Sequence, residues 1–243
     1  MNTICYIVAM RAEATPFIRE FGLKLNENFF APLPCQLYEG EVNGTRLCVV
    51  LNGAQHNSDL VGCEAATLAT SQAIQHLRPD LVINSGTCGA FESKGADIAR
   101  VYIGNGVMFH DRRVPGDDAW TTQSIGNYPV WKGSHELALQ LGLPEGKVTT
   151  GSSLDMQPCD LEVIQQHGGE LKDMEGAAIA FVCSLYGVPV LFVKSVTDLV
   201  DHSADTFEVF SRNLAAAGES LKQINKQIIS LLTRQNPATN NPE

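Results

Sequence analysis

The chain has 243 residues, of which 44% are hydrophobic and only 18% are charged, so it is long and apolar enough to bury a sizeable core. Its formal net charge is −10 at pH 7 and its longest basic cluster is Arg112-Arg113, which argues against nucleic acid and anionic membranes as partners. No apolar run approaches the roughly 20 residues that a bilayer span requires.

Two features of the sequence bear on the compartment. The first ten residues, MNTICYIVAM, lack the basic segment and the small-residue cleavage site of a signal peptide, and we expect a strand there instead. The seven cysteines are scattered and never form a C-x-x-C pair. Such a set indicates reduced thiols in a cytoplasmic protein.

Predicted strands and helices alternate along the chain. Residues 3–10 predict a strand, and residues 11–22 predict a helix that ends at Gly22. Two strands, QLYEGEV and RLCVVLNG, then pair around the Asn43-Gly44 turn. The later predicted elements are a helix at 58–77, a strand at 78–86, a strand at 99–109, a helix at 174–187, a strand at 188–198 and a helix at 206–234.

This alternation also predicts the architecture. Helices interleaved with continuous apolar strands indicate a three-layer α-β-α sandwich on a mixed, mostly parallel central sheet. We predict a single domain over residues 1–233. The last residues, 234–243, read RQNPATNNPE and predict a disordered polar tail.

Candidate site residues can be sought at the ends of the predicted strands, because ligands of open α/β sheets bind outside the carboxyl ends of those strands. Glu13 follows the first strand, Asp198 closes the strand at 188–198, and Glu175 opens the helix that precedes that strand. Each acid has a structural alternative, since a carboxylate there can stabilise a helix dipole or cap a turn. Together, the three predict one acidic crevice.

Three carboxylates without a nucleophile triad suit the cleavage of an N-glycosidic bond. The transition state of that reaction resembles an oxocarbenium ion. One acid can protonate the leaving base, one carboxylate can activate water, and a third can accept hydrogen bonds from the ribose diol. The six histidines show no metal-ligand spacing, so we predict no metal and no other cofactor.

Five motifs in order resemble one enzyme family. They are AMRAEA (9–14), INSGTCGAF (83–91), GSSLDM (151–156), KDMEGAAIA (172–180) and SVTDLVD (195–201). The chain resembles the 5′-methylthioadenosine/S-adenosylhomocysteine nucleosidases of the purine nucleoside and uridine phosphorylase superfamily, and FHDRRVP (109–115) is most similar to their plant-type branch. The resemblance implies a nucleoside phosphorylase-like fold and hydrolysis of 5′-methylthioadenosine to adenine and a 5′-thio-ribose. S-adenosylhomocysteine is a second candidate substrate.

The resemblance also implies roles for the acids. Glu13 matches the carboxylate that activates water, and Asp198 matches the acid that delivers a proton to adenine N7. Glu175 matches the acceptor of the ribose diol, with Met174 flanking the sugar. These assignments make Glu13 and Asp198 the predicted catalytic residues.

Further positions are implied to bind substrate. Thr87 and Gly89 match the loop that lines the water and the ribose, Leu154 and Asp155 match the stretch that receives adenine, and Phe207 matches an aromatic residue near the sugar. One departure is Ser152, which stands where the plant-type pattern usually has an Asp. Residues 114–130 have no clear counterpart in the family pattern, so the specificity for the 5′-substituent stays open.

Three alternatives remain. Cys88 could be a thiolate nucleophile near His110, although a small residue lining a pocket is the favoured reading. Arg112-Arg113 could bind phosphate and make the chain a phosphorolytic purine nucleoside phosphorylase, although structural ion pairs beside Asp111 and the Asp117-Asp118 loop are favoured. A non-catalytic nucleoside-binding or storage protein is the third alternative.

The resemblance further implies a homodimer. Residues 101–130 carry more large apolar side chains than a short loop usually shows, Trp120 among them. In the implied dimer, this segment of one subunit closes the 5′ pocket of its partner.

Overall fold

The computed structural model describes residues 1–201 and 206–233. The eleven strands are β1 (Thr3–Val8), β2 (Lys24–Asn26), β3 (Gln36–Val42), β4 (Thr45–Leu51), β5 (Ala54–Gln55), β6 (Ser58–Asp59), β7 (Leu81–Ala90), β8 (Val101–Phe109), β9 (Glu145–Thr150), β10 (Leu171–Asp173) and β11 (Val190–Leu199). The seven α-helices are α1 (Arg11–Glu20), α2 (Cys63–Leu77), α3 (Asp118–Ile125), α4 (Ser134–Leu141), α5 (Pro158–Gln166), α6 (Gly176–Tyr186) and α7 (Thr206–Thr233).

Nine of the strands form one mixed sheet in the order β10-β9-β8-β11-β7-β1-β4-β3-β2. Five of its pairings are parallel, and four are antiparallel. Strand β10 also pairs with β7, so that β7, β11, β8, β9 and β10 close into a ring. The carboxyl end of β7 is therefore bounded by strands on several sides.

Helices cover both faces of this sheet and produce two cores. On one face, α2 and α6 pack alanines and other small residues against side chains such as Val82 and Phe192. On the other face, α1, α4 and α7 pack against side chains such as Ile83 and Val193. Neighbouring residues of one strand point to opposite faces, so β7 and β11 supply both cores. This arrangement confirms the predicted three-layer sandwich with a mixed sheet.

Two element boundaries differ by four or more residues from the sequence prediction. The helix predicted at 58–77 begins at Cys63, because Gly62 has a φ of 95° and the residues before it pair as the β5–β6 hairpin. The strand predicted to end at residue 86 continues through the SGTCGA segment to Ala90. Its continuation is supported on one side by β11 and on the other by β10.

Two predictions concern the ends of the chain. The polar tail over residues 234–243 lies outside the described residues, and the single domain over 1–233 stays a prediction. No helix in the described part of the chain is long and apolar enough to cross a membrane.

Candidate active site

A cavity of about 250 Å³ lies at the carboxyl ends of β1, β7 and β11, and Glu13, Glu175 and Asp198 all line it. The three acids come from different parts of the chain. Glu13 is in the first turn of α1, Glu175 lies between β10 and α6, and Asp198 is near the end of β11. The structure thus brings together the three carboxylates that the sequence predicts in one crevice.

Glu13 is fixed by hydrogen bonds to two elements. Its Oε1 accepts bonds from the backbone N–H and the hydroxyl of Thr87, with N···O and O···O distances of 2.7 and 2.8 Å. Its Oε2 accepts a bond from the Met10 N–H at 3.2 Å, which also caps the start of α1. Burial raises the pKa of Glu13, while the Thr87 bonds and the charge of Lys194 oppose that rise. Glu13 therefore combines a capping role with a fixed position in the cavity.

Glu175 is not a simple helix-capping acid. Its side chain makes no capping bond to α6, and Asp173 instead accepts the Gly176 N–H at 2.9 Å. The Glu175 Oε1 accepts the Gly62 N–H at 2.8 Å across the cavity wall. Burial, reinforced by the Asp173 carboxylate, raises the pKa of Glu175 to about 7. The Glu175 side chain therefore does not cap α6, and its carboxylate lines the cavity.

Asp198 lies beside a hydroxyl that can serve either of its protonation states. Thr197 Oγ1 is 2.8 Å from Asp198 Oδ1 and 3.2 Å from the backbone oxygen of Cys88. A hydroxyl has one proton, so Thr197 can donate to an ionised Asp198, or it can donate to Cys88 and accept from a protonated Asp198. Burial raises the pKa of Asp198, against the effects of the Thr197 bond and the Lys172 charge.

Two lysines and an aspartate in the cavity wall are absent from the predicted site. Lys194 Nζ lies 2.7 Å from Asp173 Oδ2, and both side chains are at most 1% exposed. Lys172 Nζ donates to the backbone oxygens of Ser153 and Leu154 at 2.8 and 2.9 Å, which holds the loop after β9. In the sequence, Lys194 is a lysine inside an otherwise apolar strand. Such a residue needs a buried partner, which is the signal that could have indicated it.

The other predicted site residues divide into two groups. The ones that line the cavity are Thr87, Gly89, Leu154, Met174 and Phe207. Asp155 does not line it, since its side chain is exposed and accepts a bond from Gln157 Nε2 at 2.8 Å. Consecutive residues of this loop face different ways, so adjacency to Leu154 does not bring Asp155 into the cavity. The roles of the lining residues remain predictions.

The basic and thiol candidates have structural surroundings. Arg113 forms an ion pair with Asp160 at 2.7 Å, a partner that the sequence did not indicate, and Arg112 lies over the Phe109 ring. Asp111 instead accepts the Ser152 N–H at 2.7 Å, and Asp117 caps α3.

Cys88 lines the cavity, and burial raises its pKa well above that of a free thiol. His110 bonds through Nδ1 to Thr149 Oγ1 at 3.0 Å. Within residues 1–201 and 206–233, no three His, Cys, Asp or Glu side chains are grouped so as to hold a metal ion.

Comparisons with known proteins agree with this geometry. A model of the phosphorylase superfamily matches residues 3–230. A 5′-methylthioadenosine nucleosidase of Arabidopsis thaliana is 38% identical over 97% of this chain and 89% of its own length. A 5′-methylthioadenosine/S-adenosylhomocysteine nucleosidase of the same plant is 36% identical over 96% of this chain and 92% of its own length.

Solved structures give the same result. The apo structure of Arabidopsis thaliana 5′-methylthioadenosine nucleosidase superposes with a TM-score of 0.93 at 38% identity, covering 97% of this chain and 98% of that one. The chain therefore belongs to the phosphorylase superfamily and, within it, to the family of the 5′-methylthioadenosine/S-adenosylhomocysteine nucleosidases. The resemblance seen in the five sequence motifs is confirmed.

Gly89 is expected to be essential for the packing of the acid on β11. A Cβ at this position would lie 2.7 Å from Asp198 Oδ2 and 2.5 Å from a Val200 methyl group. We expect Gly89→Ala to lower the free energy of unfolding by about 1–3 kcal/mol, as overpacking usually does. The matched control is Gly218→Ala in α7, where a Cβ would meet only the Ala12 oxygen at 3.8 Å. Urea denaturation measures the free energy of unfolding of both variants. Equal stability of Gly89→Ala and the unmodified chain contradicts the packing argument.

Proposed function

We propose that this chain hydrolyses the N-glycosidic bond of 5′-methylthioadenosine, with S-adenosylhomocysteine as a second candidate substrate. The observation that carries the proposal is the convergence of Glu13, Glu175 and Asp198 on one cavity, each with hydrogen bonds that fix it. Family membership supports the same substrate class, because both Arabidopsis relatives are 5′-methylthioadenosine nucleosidases by name and are matched over nearly their whole length.

In the proposed reaction, the bond between ribose C1′ and adenine N9 breaks and its electron pair moves to the base. Asp198 donates a proton to N7, which makes the base a better leaving group. Glu13 takes a proton from the water whose oxygen attacks C1′. Glu175 accepts hydrogen bonds from the ribose diol and stabilises the positive charge that develops on the sugar.

The electrostatics of the cavity support these roles. A raised pKa at Asp198 extends the pH range in which the acid still carries its proton. Glu13 has the opposite requirement, and its bonds from Thr87 and Met10 all favour the ionised form. Two carboxyl groups with different surroundings can thus act as acid and base in the same cavity.

Phosphorolysis has less support. Arg112 and Arg113 do not line the cavity and are engaged by Phe109 and Asp160. The two lysines that do line it are also engaged, Lys194 by Asp173 and Lys172 by two backbone oxygens. A non-catalytic binding protein would have no need for three buried acids, which each cost free energy to desolvate.

The first test is the reaction itself. Adenine release from 5′-methylthioadenosine is expected to proceed in phosphate-free buffer and to be unaffected by added phosphate, with the free 5′-methylthioribose as the second product. Chromatography with mass detection identifies the sugar. Accumulation of a ribose-1-phosphate derivative upon phosphate addition supports the phosphorylase alternative, and no adenine under either condition supports the binding-protein alternative.

The second test concerns Asp198. Asp198→Asn cannot donate its proton to N7, and loss of a general acid typically costs about 10²–10⁴-fold in rate. We expect a larger loss of kcat than for Glu175→Gln, together with loss of the fall in rate at high pH that deprotonation of Asp198 causes. Asp97→Asn is the control, because its side chain is 81% exposed. Near-normal kcat in Asp198→Asn would remove the acid assignment.

We also propose that the chain is a cytoplasmic homodimer. All seven cysteines are free, as expected in a reducing compartment. Trp120 on α3 is 57% exposed and does not line the cavity of its own subunit, and Leu185 and Tyr186 at the end of α6 are also exposed. Exposed large apolar side chains are typical of a surface that another subunit covers.

Sedimentation velocity tests the dimer. We expect a species of twice 26.3 kDa, and Trp120→Asp is expected to shift the equilibrium toward the monomer because it places a charge in the apolar surface. Leu139→Asp on α4 is the control, since Leu139 is 64% exposed but lies on a different helix. A 26.3 kDa species that remains fully active on dilution excludes the dimer.

A further inference from the structure

One buried lysine serves three buried carboxylates in the cavity. Glu13, Asp173 and Glu175 all line it together with Lys194, whose side chain is 1% exposed. If all three acids are ionised, the group carries two uncompensated negative charges away from water. Such an arrangement is costly, so the position of the Lys194 charge affects which of these acids stay ionised, since Lys172, the other lysine of the cavity, is directed to the Ser153 and Leu154 oxygens.

Asp173 fixes that lysine. Its Oδ2 lies 2.7 Å from Lys194 Nζ and also accepts the Gly176 N–H, while its Oδ1 accepts the Thr150 hydroxyl at 2.5 Å. Thr150 Oγ1 in turn accepts the Ala177 N–H at 2.8 Å. These bonds fix the Asp173 carboxylate between the end of β9 and the start of α6.

Lys194 and Asp173 act on the two glutamates differently. The lysine lowers the pKa of both Glu13 and Glu175, whereas Asp173 raises that of Glu175. The other titratable groups around them are Cys63 on α2, Cys88 on β7, Lys172 on β10 and Asp198 on β11. Both thiols stay neutral, since burial raises the pKa of each. Lys172 is directed to the loop oxygens beside Asp198.

We propose that Lys194 and Asp173 form a positioning pair, in which Asp173 fixes the ammonium group and the ammonium group favours the ionised forms of Glu13 and Glu175. Ionised Glu13 can take a proton from water, and ionised Glu175 can accept bonds from the ribose diol. These catalytic consequences rest on the proposed function. The effect of Lys194 on the ionisation of the two glutamates does not rest on the proposed function, because it follows from the charges alone.

The test is a ¹³C NMR titration of protein labelled at the glutamate carboxyl carbons, with Glu13→Gln and Glu175→Gln used to assign the two signals. In Lys194→Met, both titration midpoints are expected to move up by about one pH unit or more. Lys194→Arg is expected to restore both, because it returns the charge. In Asp173→Asn, the Glu175 midpoint is expected to move down, since a neighbouring negative charge is lost.

Removing one member of a buried ion pair can prevent folding, so a double variant is needed. Lys194→Met with Asp173→Asn removes both charges of the ion pair and keeps the acceptor for the Gly176 N–H. In this variant, the Glu13 midpoint is expected to rise, because the Lys194 charge that lowers the pKa of Glu13 is lost. The Glu175 midpoint is expected to change less, because two opposing neighbours are lost together.

The pH profile of kcat/KM with 5′-methylthioadenosine adds a second readout. The acid limb is expected to move to higher pH in Lys194→Met and to return in Lys194→Arg. A purely structural role for the pair would lower the rate at every pH and leave the limb in place. Unmoved NMR midpoints in folded Lys194→Met and double variants overturn the proposal even if the nucleoside is hydrolysed. Shifted midpoints without hydrolysis leave the pair intact and contradict the proposed function.

Discussion

The position of strand β7 is the constraint on which the cavity depends. It pairs with β1 and β11 along its length and with β10 at its end. Three acids from distant parts of the chain can meet because this one strand adjoins the elements that carry them. Its glycines matter for the same reason, since a Cβ at Gly86 would lie 3.3 Å from a Glu13 oxygen and one at Gly89 would contact Asp198. A bulkier strand end would push the acids apart.

Closure of the strands around this point also explains the unusual acidities. The ring of strands and the small residues of α6 bury the carboxylates, so they depend on amide N–H groups, hydroxyls and the ammonium groups of Lys194 and Lys172. Each acid has a different set of these partners, so the pKa of each acid is shifted to a different extent. The same burial strengthens every charge interaction with a bound nucleoside. Fold and chemistry are linked here through desolvation.

Local sequence signals predicted much of the fold and of the acidic site. Glu13, Glu175 and Asp198 were accessible because they sit at element ends, where the direction of the chain places side chains at one edge of the sheet. Lys194 and Asp173 were not, because each has a role only through the other, and they meet only when β10 and β11 both pair with β7. The extent of β7 was missed for a similar reason, since its last residues are ordered by β10, which lies about 80 residues later. Asp155 does not line the cavity, because the direction of a loop side chain follows no fixed sequence period.

The hydroxyl of Thr197 has a consequence for turnover. If Asp198 is the proposed acid, it becomes an acceptor without a donor when it loses its proton, and in a buried site this would normally require neighbouring groups to move. The Thr197 proton can swing from the Cys88 oxygen to Asp198 by rotation about a single C–O bond. The reorganisation energy of the acid is then small, and the resting state is regained by the reverse rotation. The backbone of β11 can stay still through the whole cycle.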